Sequence, residues 1–325
     1  PGSKRKPKQR KSVMENLIVS LNVVFPLFAM MAVGFLLHRI GILDDHTADV
    51  MNKVTFKAFL PTLIFYNIYQ TEIAEIFDGR LILWAIGLVL LMFFLLWLIV
   101  PRFEKDFRRK GVMIQGMFRS NFILYGLPVT ASLFGDENVG TASMLIAFVV
   151  PLYNVLSVVV LEWYADRQIH PKKILKGIVT NPLILGALLG GLLLLCRIRL
   201  PEGIEKTVAN LSGMATPMAF LILGASFKFS ALKGNIRPLT IAVAVKLILF
   251  PALFLPLSIL MGYRGIQLAA LLTMLGAPTA VSSFTMAKQM NGDGELAGQI
   301  VIFTSICSIP TMFFWIFLLK QMAFM

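Results

Sequence analysis

Two tripeptides that end in proline are the residues of this 325-residue chain best suited to bind a charged guest. Gly126-Leu127-Pro128 and Gly276-Ala277-Pro278 each lie inside a long apolar stretch. Proline within a helix removes a backbone hydrogen bond and costs about 3 kcal/mol or more, and in lipid such a break survives only inside protein or beside a wet cavity. A break at each tripeptide would create the N-terminus of a half-helix, whose N–H groups and positive dipole end attract anions. The alternative is two kinked helices that satisfy their own backbone groups.

Polar side chains near the tripeptides can complete an anion-binding site. The amide of Asn121 must find partners, because burying it unpaired costs about 2–7 kcal/mol, and it can either orient a carboxylate or cross-link helices. Arg119 and Lys246 are the only Lys or Arg deep inside apolar stretches, with no Asp or Glu at comparable depth. This surplus of positive charge suits an anionic guest, although Arg119 can instead extend to the membrane surface. The candidate substrate-binding residues are Asn121, Gly126, Leu127, Pro128, Gly276, Ala277, Pro278, Thr279, Ser282, Ser283, Arg119, Lys246 and Asn154.

The composition shows which solvent surrounds most of the chain. Hydrophobic residues make up 57% and charged residues 14%, whereas an average soluble domain is about 45–50% apolar and about 25% charged. A core large enough to hide this apolar surface from water does not exist at this length. The composition therefore excludes an ordinary cytosolic globule, a disordered chain and a nucleic-acid-binding domain, and it predicts a protein that lies in the lipid bilayer.

Apolar runs of about 20 residues, the length of a membrane-spanning helix, divide the chain into ten predicted spans. They lie near 17–38, 50–70, 81–100, 112–134, 141–161, 175–195, 207–227, 238–262, 265–287 and 297–319. The prediction is an all-α, multi-pass protein of the cell membrane. The loops on one side carry most of the Lys and Arg, and the preference of these residues for the cytoplasmic side places both termini outside.

The first thirteen residues do not fit this charge pattern. They contain six Lys and Arg and precede Met14, so residues 1–13 are interpreted as a remnant of the expression vector and are excluded. The alternative is a native basic arm that binds anionic lipid. The two cysteines lie in apolar runs, so we expect neither a disulfide framework nor a metal site. No cofactor or catalytic motif is recognisable, and the chain is not expected to be an enzyme.

Proline positions indicate an internal repeat. Pro26 and Pro182 are 156 residues apart, as are Pro61 and Pro217. Pro128 and Pro278 correspond at a similar spacing, and Pro151 and Pro310 mark the last span of each half. A repeat of five spans must enter the membrane from opposite faces in its two copies, which is typical of secondary transporters. We therefore predict two inverted repeats, residues 14–165 and 166–325, in which helices 4 and 9 are broken.

Several segments resemble the auxin efflux carrier superfamily, which includes plant auxin exporters and bacterial organic-acid permeases. The resemblance runs from about Val23 to Leu319 and is carried best by FRSNFILYGLP, VLEWYADR, NPLILGALLG and APTAVSSFTMAKQ. Asn121 occupies the place of the family's asparagine, and Lys246 falls where the plant carriers have a basic residue. FRSNF, with Arg119, is more similar to the bacterial branch. Ile64 departs from the plant carriers, which tend to have serine there.

The resemblance implies a ten-helix fold like that of the bile-acid sodium symporters. Spans 1, 2, 6 and 7 would form a scaffold, and spans 3–5 and 8–10 a moving core. The crossed breaks of spans 4 and 9 would hold a carboxylate while the core moves as an elevator. Homodimers through the scaffold are usual in the family.

The sequence thus predicts a carrier for small organic anions such as mono- or dicarboxylates, with no nucleic-acid partner. Two other interpretations stay open. One is a sodium-coupled symporter of the bile-acid type, and the other is a membrane sensor that binds a ligand on the same fold without transporting it.

Overall fold

The computed structural model describes residues 13–70, 78–135, 138–166, 171–228 and 232–325, and every regular element in these ranges is helical. The helices are α1 Val13–Arg39, α2 Asp45–Val54, α3 Leu60–Tyr69, α4 Gly79–Phe103, α5 Phe107–Phe118, α6 Phe122–Phe134, α7 Gly140–Tyr164, α8 Pro171–Val179, α9 Pro182–Leu195, α10 Glu202–Ser226, α11 Leu232–Ala244, α12 Phe250–Leu260, α13 Gly265–Gly276, α14 Ser282–Gln289 and α15 Gly294–Gln321. Each of the ten predicted apolar runs coincides with one helix or with consecutive helices of this series.

Several helices are long and apolar enough to cross a membrane. Within the described ranges there are five such helices, namely Gly79–Phe103, Gly140–Tyr164, Glu202–Ser226, Leu232–Leu260 and Gly294–Gln321. Shorter apolar helices accompany them, at Phe25–Arg39, Pro182–Leu195 and Gly265–Gly276. The expectation of an all-helical membrane protein is therefore confirmed.

Aspartate residues fix where four of the helices begin. Asp44, Asp78, Asp106 and Asp293 precede α2, α4, α5 and α15, and each carboxylate accepts the backbone N–H three residues later. Such a cap satisfies one of the unpaired N–H groups at the start of a helix and places negative charge near its positive end.

Prolines explain two π-helical turns in the described chain. Thr55–Phe59 joins α2 to α3 just before Pro61, and Val245–Leu249 joins α11 to α12 just before Pro251. A proline ring displaces the carbonyl four residues before it, which for Pro251 is that of Leu247. Trp315 Nε1 donates to this carbonyl at 3.0 Å, so the lost backbone hydrogen bond is replaced by a side-chain hydrogen bond.

The predicted break of helix 4 at Gly126–Pro128 is wrong. These residues lie inside α6, and the interruption lies earlier, between Phe118 and Phe122, where Arg119 has an extended backbone (φ −82°, ψ 128°). Pro128 alone removes one hydrogen bond, which a helix tolerates. A tertiary contact makes the break, because the N–H of Asn121 donates to Pro278 O at 2.7 Å instead of to its own helix. The predicted break of helix 9 is confirmed, since α13 ends at Gly276 and Ala277 is extended.

Glycines permit two very close helix crossings. A Cβ atom on Gly34 of α1 would lie 2.0 Å from the carbonyl oxygen of Leu221 on α10. A Cβ atom on Gly190 of α9 would lie 2.7 Å from the carbonyl oxygen of Phe65 on α3. The two glycines are 156 residues apart, and so are the two residues that they touch. The α1–α10 and α3–α9 crossings therefore correspond to each other at the spacing of the proline repeat.

Candidate functional site

Two buried helix interruptions cross each other. The first lies between α5 and α6, and the second lies between α13 and α14. They are joined directly by the Asn121 N–H, which donates to Pro278 O.

Hydroxyl groups join the crossing segments in a reciprocal pattern. Ser120 donates its hydroxyl to Met274 O, two residues before the end of α13. Thr279 donates its hydroxyl to Gly116 O at 2.6 Å, two residues before the end of α5. The carbonyl groups in the last turn of a helix have no partner within the helix. Each interruption therefore supplies a partner to the end of the other half-helix, which fixes both in place.

The N-termini of the half-helices α6 and α14 lie beside a cavity of about 90 Å³. The Asn121 side chain before α6 makes no capping hydrogen bond, and Val281 before α14 has no polar side-chain atom that could make one. Both residues line the cavity, as does Ser282, the first residue of α14. Two positive helix ends are thus directed at one space, which is the arrangement that binds anions.

Arg119 and Lys246 add positive charge next to these helix ends. Arg119 is 5% exposed, and its Nη2 donates to Asn154 Oδ1 and Ser282 Oγ, both at 2.7 Å. Lys246 is 0% exposed, and its Nζ donates to Ser120 Oγ. Among the residues that the structure describes, no carboxylate pairs with either cation. The positive charge around the crossing is therefore not neutralised by the protein there.

The two walls of the cavity differ in polarity. One wall is formed by the interruptions and α7, and its polar residues are Arg119, Ser120, Asn121, Tyr153, Asn154 and Ser282. The opposite wall comes from α3, α9 and α10 and consists of Leu60, Leu63, Ile64, Leu183, Ala215 and Thr216. Because this second wall is mostly hydrocarbon, hydrogen bonds to a bound guest come almost entirely from the first.

The structure brings four of the predicted site residues to the cavity, namely Arg119, Asn121, Asn154 and Ser282. Others lie at the crossing without lining it: Gly276, Ala277, Pro278, Thr279 and Ser283. Lys246 reaches the crossing through Ser120. Gly126, Leu127 and Pro128 do not line it, because they lie within α6, beyond its first turn.

Sequence reasoning missed Ser120 and Thr216. Ser120 stands between two predicted site residues, and its position in FRSNF was a usable signal. Thr216 precedes Pro217 in a span of low hydropathy, and only the packing of α10 against the core shows that it faces the cavity.

Known proteins are similar in sequence to this chain along nearly its whole length. The family model described as "Membrane transport protein" matches residues 19–316. A protein named only as an uncharacterized transporter, from Methanothermobacter thermautotrophicus, is 24% identical over 309 residues, which covers 91% of this chain and 97% of that protein. A protein provisionally named a malonate transporter, from Rhizobium meliloti, is 22% identical, with 92% of this chain and 95% of that protein covered. Auxin efflux carrier component 8 of Arabidopsis thaliana is 22% identical, with 93% and 97% covered.

These matches confirm the resemblance to the auxin efflux carriers, and they agree with the prediction that the chain is not an enzyme. The chain belongs to the membrane transport protein family that includes the auxin efflux carriers.

Proposed function

We propose that this protein is a carrier that moves small organic anions, such as mono- or dicarboxylates, across the cell membrane. One observation supports the proposal above all. Two half-helix N-termini and the Arg119 guanidinium meet at one cavity, and no carboxylate of the described chain neutralises them. A bound carboxylate would supply the missing negative charge and accept hydrogen bonds from these donors.

In the proposed binding mode the carboxylate lies between the starts of α6 and α14. The Asn121 side chain, which has no capping role, orients it by donating from its amide. Arg119 already uses Nη2 for Asn154 and Ser282, and Nη1 for the Met286 sulfur at 2.7 Å. Its Nε–H and the second N–H of Nη1 would bind a second carboxylate, which would be the basis for binding dicarboxylates.

The size of the cavity limits the cargo. One water needs about 10–15 Å³ on this scale, so about 90 Å³ holds roughly six to nine water-sized groups. A short-chain organic acid has a similar number of heavy atoms. One relative in another organism is provisionally named a malonate transporter, which is consistent with a cargo of this size.

The proposed architecture has ten spans in two inverted repeats, residues 14–165 and 166–325. The reciprocal hydroxyl contacts and the paired glycine crossings support it, because each contact in one half has a counterpart in the other. We propose that spans 1, 2, 6 and 7 form the scaffold and spans 3–5 and 8–10 the moving core. The cavity lies between these two units. An elevator-type movement of the core, dimerisation through the scaffold and an outside location of both termini belong to the same proposal.

Contacts among helix ends support an alternation of the spans between two faces. At one face, Lys228 after α10 pairs with Asp45 at the start of α2, and Arg109 of α5 pairs with Asp293 before α15. At the other, Gln267 of α13 donates to Asp78 before α4. Each cluster joins helix ends that ten alternating spans place on the same side.

Replacement of Asn121 by Ala tests the binding site. We expect carboxylate uptake into proteoliposomes to be lost, while expression and thermal stability stay close to those of the wild type. Asn210→Ala is the matched control, because Asn210 is an exposed amide on α10 away from the cavity. Uptake at the wild-type rate by the Asn121 variant would remove this site from consideration.

The same assay separates the other two interpretations. Flux that persists in sodium-free, pH-clamped liposomes excludes a sodium-coupled symporter. Carboxylate binding without any flux would indicate a sensor and contradict the carrier proposal.

A further inference from the structure

Lys288 attaches the half-helix α14 to two helices on the opposite side of the cavity. It lies one residue before the end of α14. Its Nζ is 2.6 Å from Asp49 Oδ1 on α2 and 3.2 Å from Ser226 Oγ at the end of α10. In the proposed architecture α14 belongs to the core, whereas α2 and α10 belong to the scaffold. These contacts therefore cross the boundary along which the core would move.

A second, buried contact crosses the same boundary one helical turn away. Asn52 of α2 is 0% exposed, and its Nδ2 donates to Thr285 O at 3.4 Å. Asn52 follows Asp49 by three residues, and Thr285 precedes Lys288 by three. The two helices are thus joined at two successive turns, which fixes their register as well as their distance.

The ion pair is partly exposed, so it can be broken at low cost. It borders a cavity of about 310 Å³ that is also lined by Asp45 and Lys228. The Lys288 and Asp49 side chains are 25% and 62% exposed. A pair this exposed contributes little to folding stability, but it can still shift the balance between two states of similar energy.

Neighbouring charges leave Asp49 free to pair with Lys288. Lys228 pairs instead with Asp45, at 3.4 Å, and His38 also contacts Asp45, at 3.3 Å. The His38 hydrogen bond and the Lys228 charge lower the pKa of Asp45 below its ordinary value of 3.8. Asp45 therefore stays charged and keeps Lys228 occupied.

The substrate cavity has a continuation that leads away from Lys288. A second cavity, of about 20 Å³, shares Ile64, Val150 and Asn154 with the first and extends along α3 to Asn67 and Ile68. It leads toward the end of α3, at the face opposite the ion pair. The polar contacts of Lys288 thus lie at the face where α2 and α14 meet, and the cavity extends toward the opposite face.

We propose that Lys288 and Asp49, together with Asn52, form a latch that closes the face of α2 and α14 and must open for the core to move. The inference rests on the proposed carrier function. Helix α14 has 8 residues, about 12 Å, with Ser282 at the substrate cavity and Lys288 at the latch. The helix that contacts the cargo is therefore the one that the latch holds, and Lys288 is a positioning residue for the transport cycle.

Cysteine labelling from the two sides of sealed vesicles tests the latch without any cargo. The reporter is Thr216→Cys, on the apolar wall of the cavity, with Cys196 and Cys307 replaced by Ser. In Asp49→Asn and Lys288→Gln we expect labelling from the latch face to rise about two- to five-fold, the range for a partly exposed ion pair. The exchanged pair Asp49→Lys with Lys288→Asp should return labelling to the wild-type level. Lys206→Gln is the control, because it breaks an exposed pair of 2.6 Å within α10 alone.

The outcomes separate the latch from the carrier function. Labelling unchanged in the single variants, or an exchanged pair that behaves like the single variants, would overturn the latch. If labelling shifts as expected but no carboxylate is bound or transported, the latch stands and the cargo assignment fails. Transport should show a changed maximal rate at an unchanged cargo Kd, which a merely local loss of stability would not produce.

Discussion

Ser120→Ala should destabilise this protein far more than the loss of one hydroxyl group ordinarily does. Lys246 is 0% exposed, and Ser120 Oγ is the acceptor of its ammonium group. A hydrogen bond to a charged group contributes about 1.5–3 kcal/mol, and one between neutral groups about 0.5–1.5 kcal/mol. Ser120→Ala removes one of each kind, since Ser120 also donates to Met274 O, and we therefore expect it to lower the free energy of unfolding by about 2–4.5 kcal/mol.

A second substitution should reverse much of this loss. Lys246→Met removes the charge at similar volume, and Ser120 keeps its bond to Met274 O, so this variant should cost less than about 1.5 kcal/mol. When Ser120→Ala is added to Lys246→Met, it removes only a neutral hydrogen bond, worth about 0.5–1.5 kcal/mol. The double variant should therefore be more stable than Ser120→Ala alone.

Denaturant titration in mixed micelles, analysed as a double-mutant cycle, measures these free energies. Ser258→Ala is the matched control, because Ser258 is also 0% exposed and accepts from a neutral donor, Trp84 Nε1, at 3.0 Å. The reasoning is refuted if Ser120→Ala costs no more than Ser258→Ala, or if the two site substitutions are simply additive. In either case Lys246 would not carry an unneutralised charge to the crossing.

Two further predictions concern the close helix crossing and the second carboxylate. Gly224→Ala should destabilise the protein by about 1–3 kcal/mol, because its Cβ would lie 1.9 Å from Met31 O. A Cβ on Gly213 of the same helix meets nothing within 4 Å, so Gly213→Ala should be neutral or slightly stabilising. Thermal unfolding of both variants checks this, and equal midpoints would contradict the close approach. Arg119→Gln should weaken binding of a dicarboxylate more than that of a monocarboxylate of similar size, and an equal loss in calorimetric titration would contradict the role of Arg119 as the second carboxylate site.

The proposed repeat between the two halves could be predicted from the sequence because prolines leave a local trace, whereas the glycine crossings were found only in the structure. The spacing of 156 residues between Pro26 and Pro182 recurs between Gly34 and Gly190. The structure shows that these glycines approach backbone carbonyl groups that are also 156 residues apart. Prolines are recognisable without any structure, because each acts on the helix that contains it. The break after Gly276 was predictable for the same reason.

The position of the first break was not predictable, because a distant residue causes it. Pro128 suggested a break that it does not make, and the interruption at Asn121 depends on Pro278 O, 157 residues away in the chain. The role of Ser120 as the acceptor for Lys246 is equally non-local. Ser120 and Asn121 are weak helix formers, but the same residue types also occur inside helices, such as Asn52 in α2 and Ser157 in α7. Only the tertiary hydrogen bond therefore fixes where the helix is interrupted.

Ile64 shows why the apolar wall could not be recognised. In the sequence it is one of two isoleucines among the apolar residues of the span at 50–70, and only its difference from the plant carriers marked it. In the structure it lines both the substrate cavity and its continuation along α3. An apolar residue that faces a cavity and one that faces lipid have the same sequence signature.

The unequal walls of the cavity bear on how a carrier of this shape can work. Arg119, Asn121, Asn154 and Ser282 all belong to the proposed core, and the scaffold contributes Thr216 and otherwise hydrocarbon. A guest held by hydrogen bonds to one unit and touching carbon on the other can move with the first unit without breaking polar contacts. If both walls were polar, each cycle would break several buried hydrogen bonds, at about 1–3 kcal/mol for each group left unpaired. The polarity of the walls therefore supports the proposed movement of the core, with its cargo, along the scaffold.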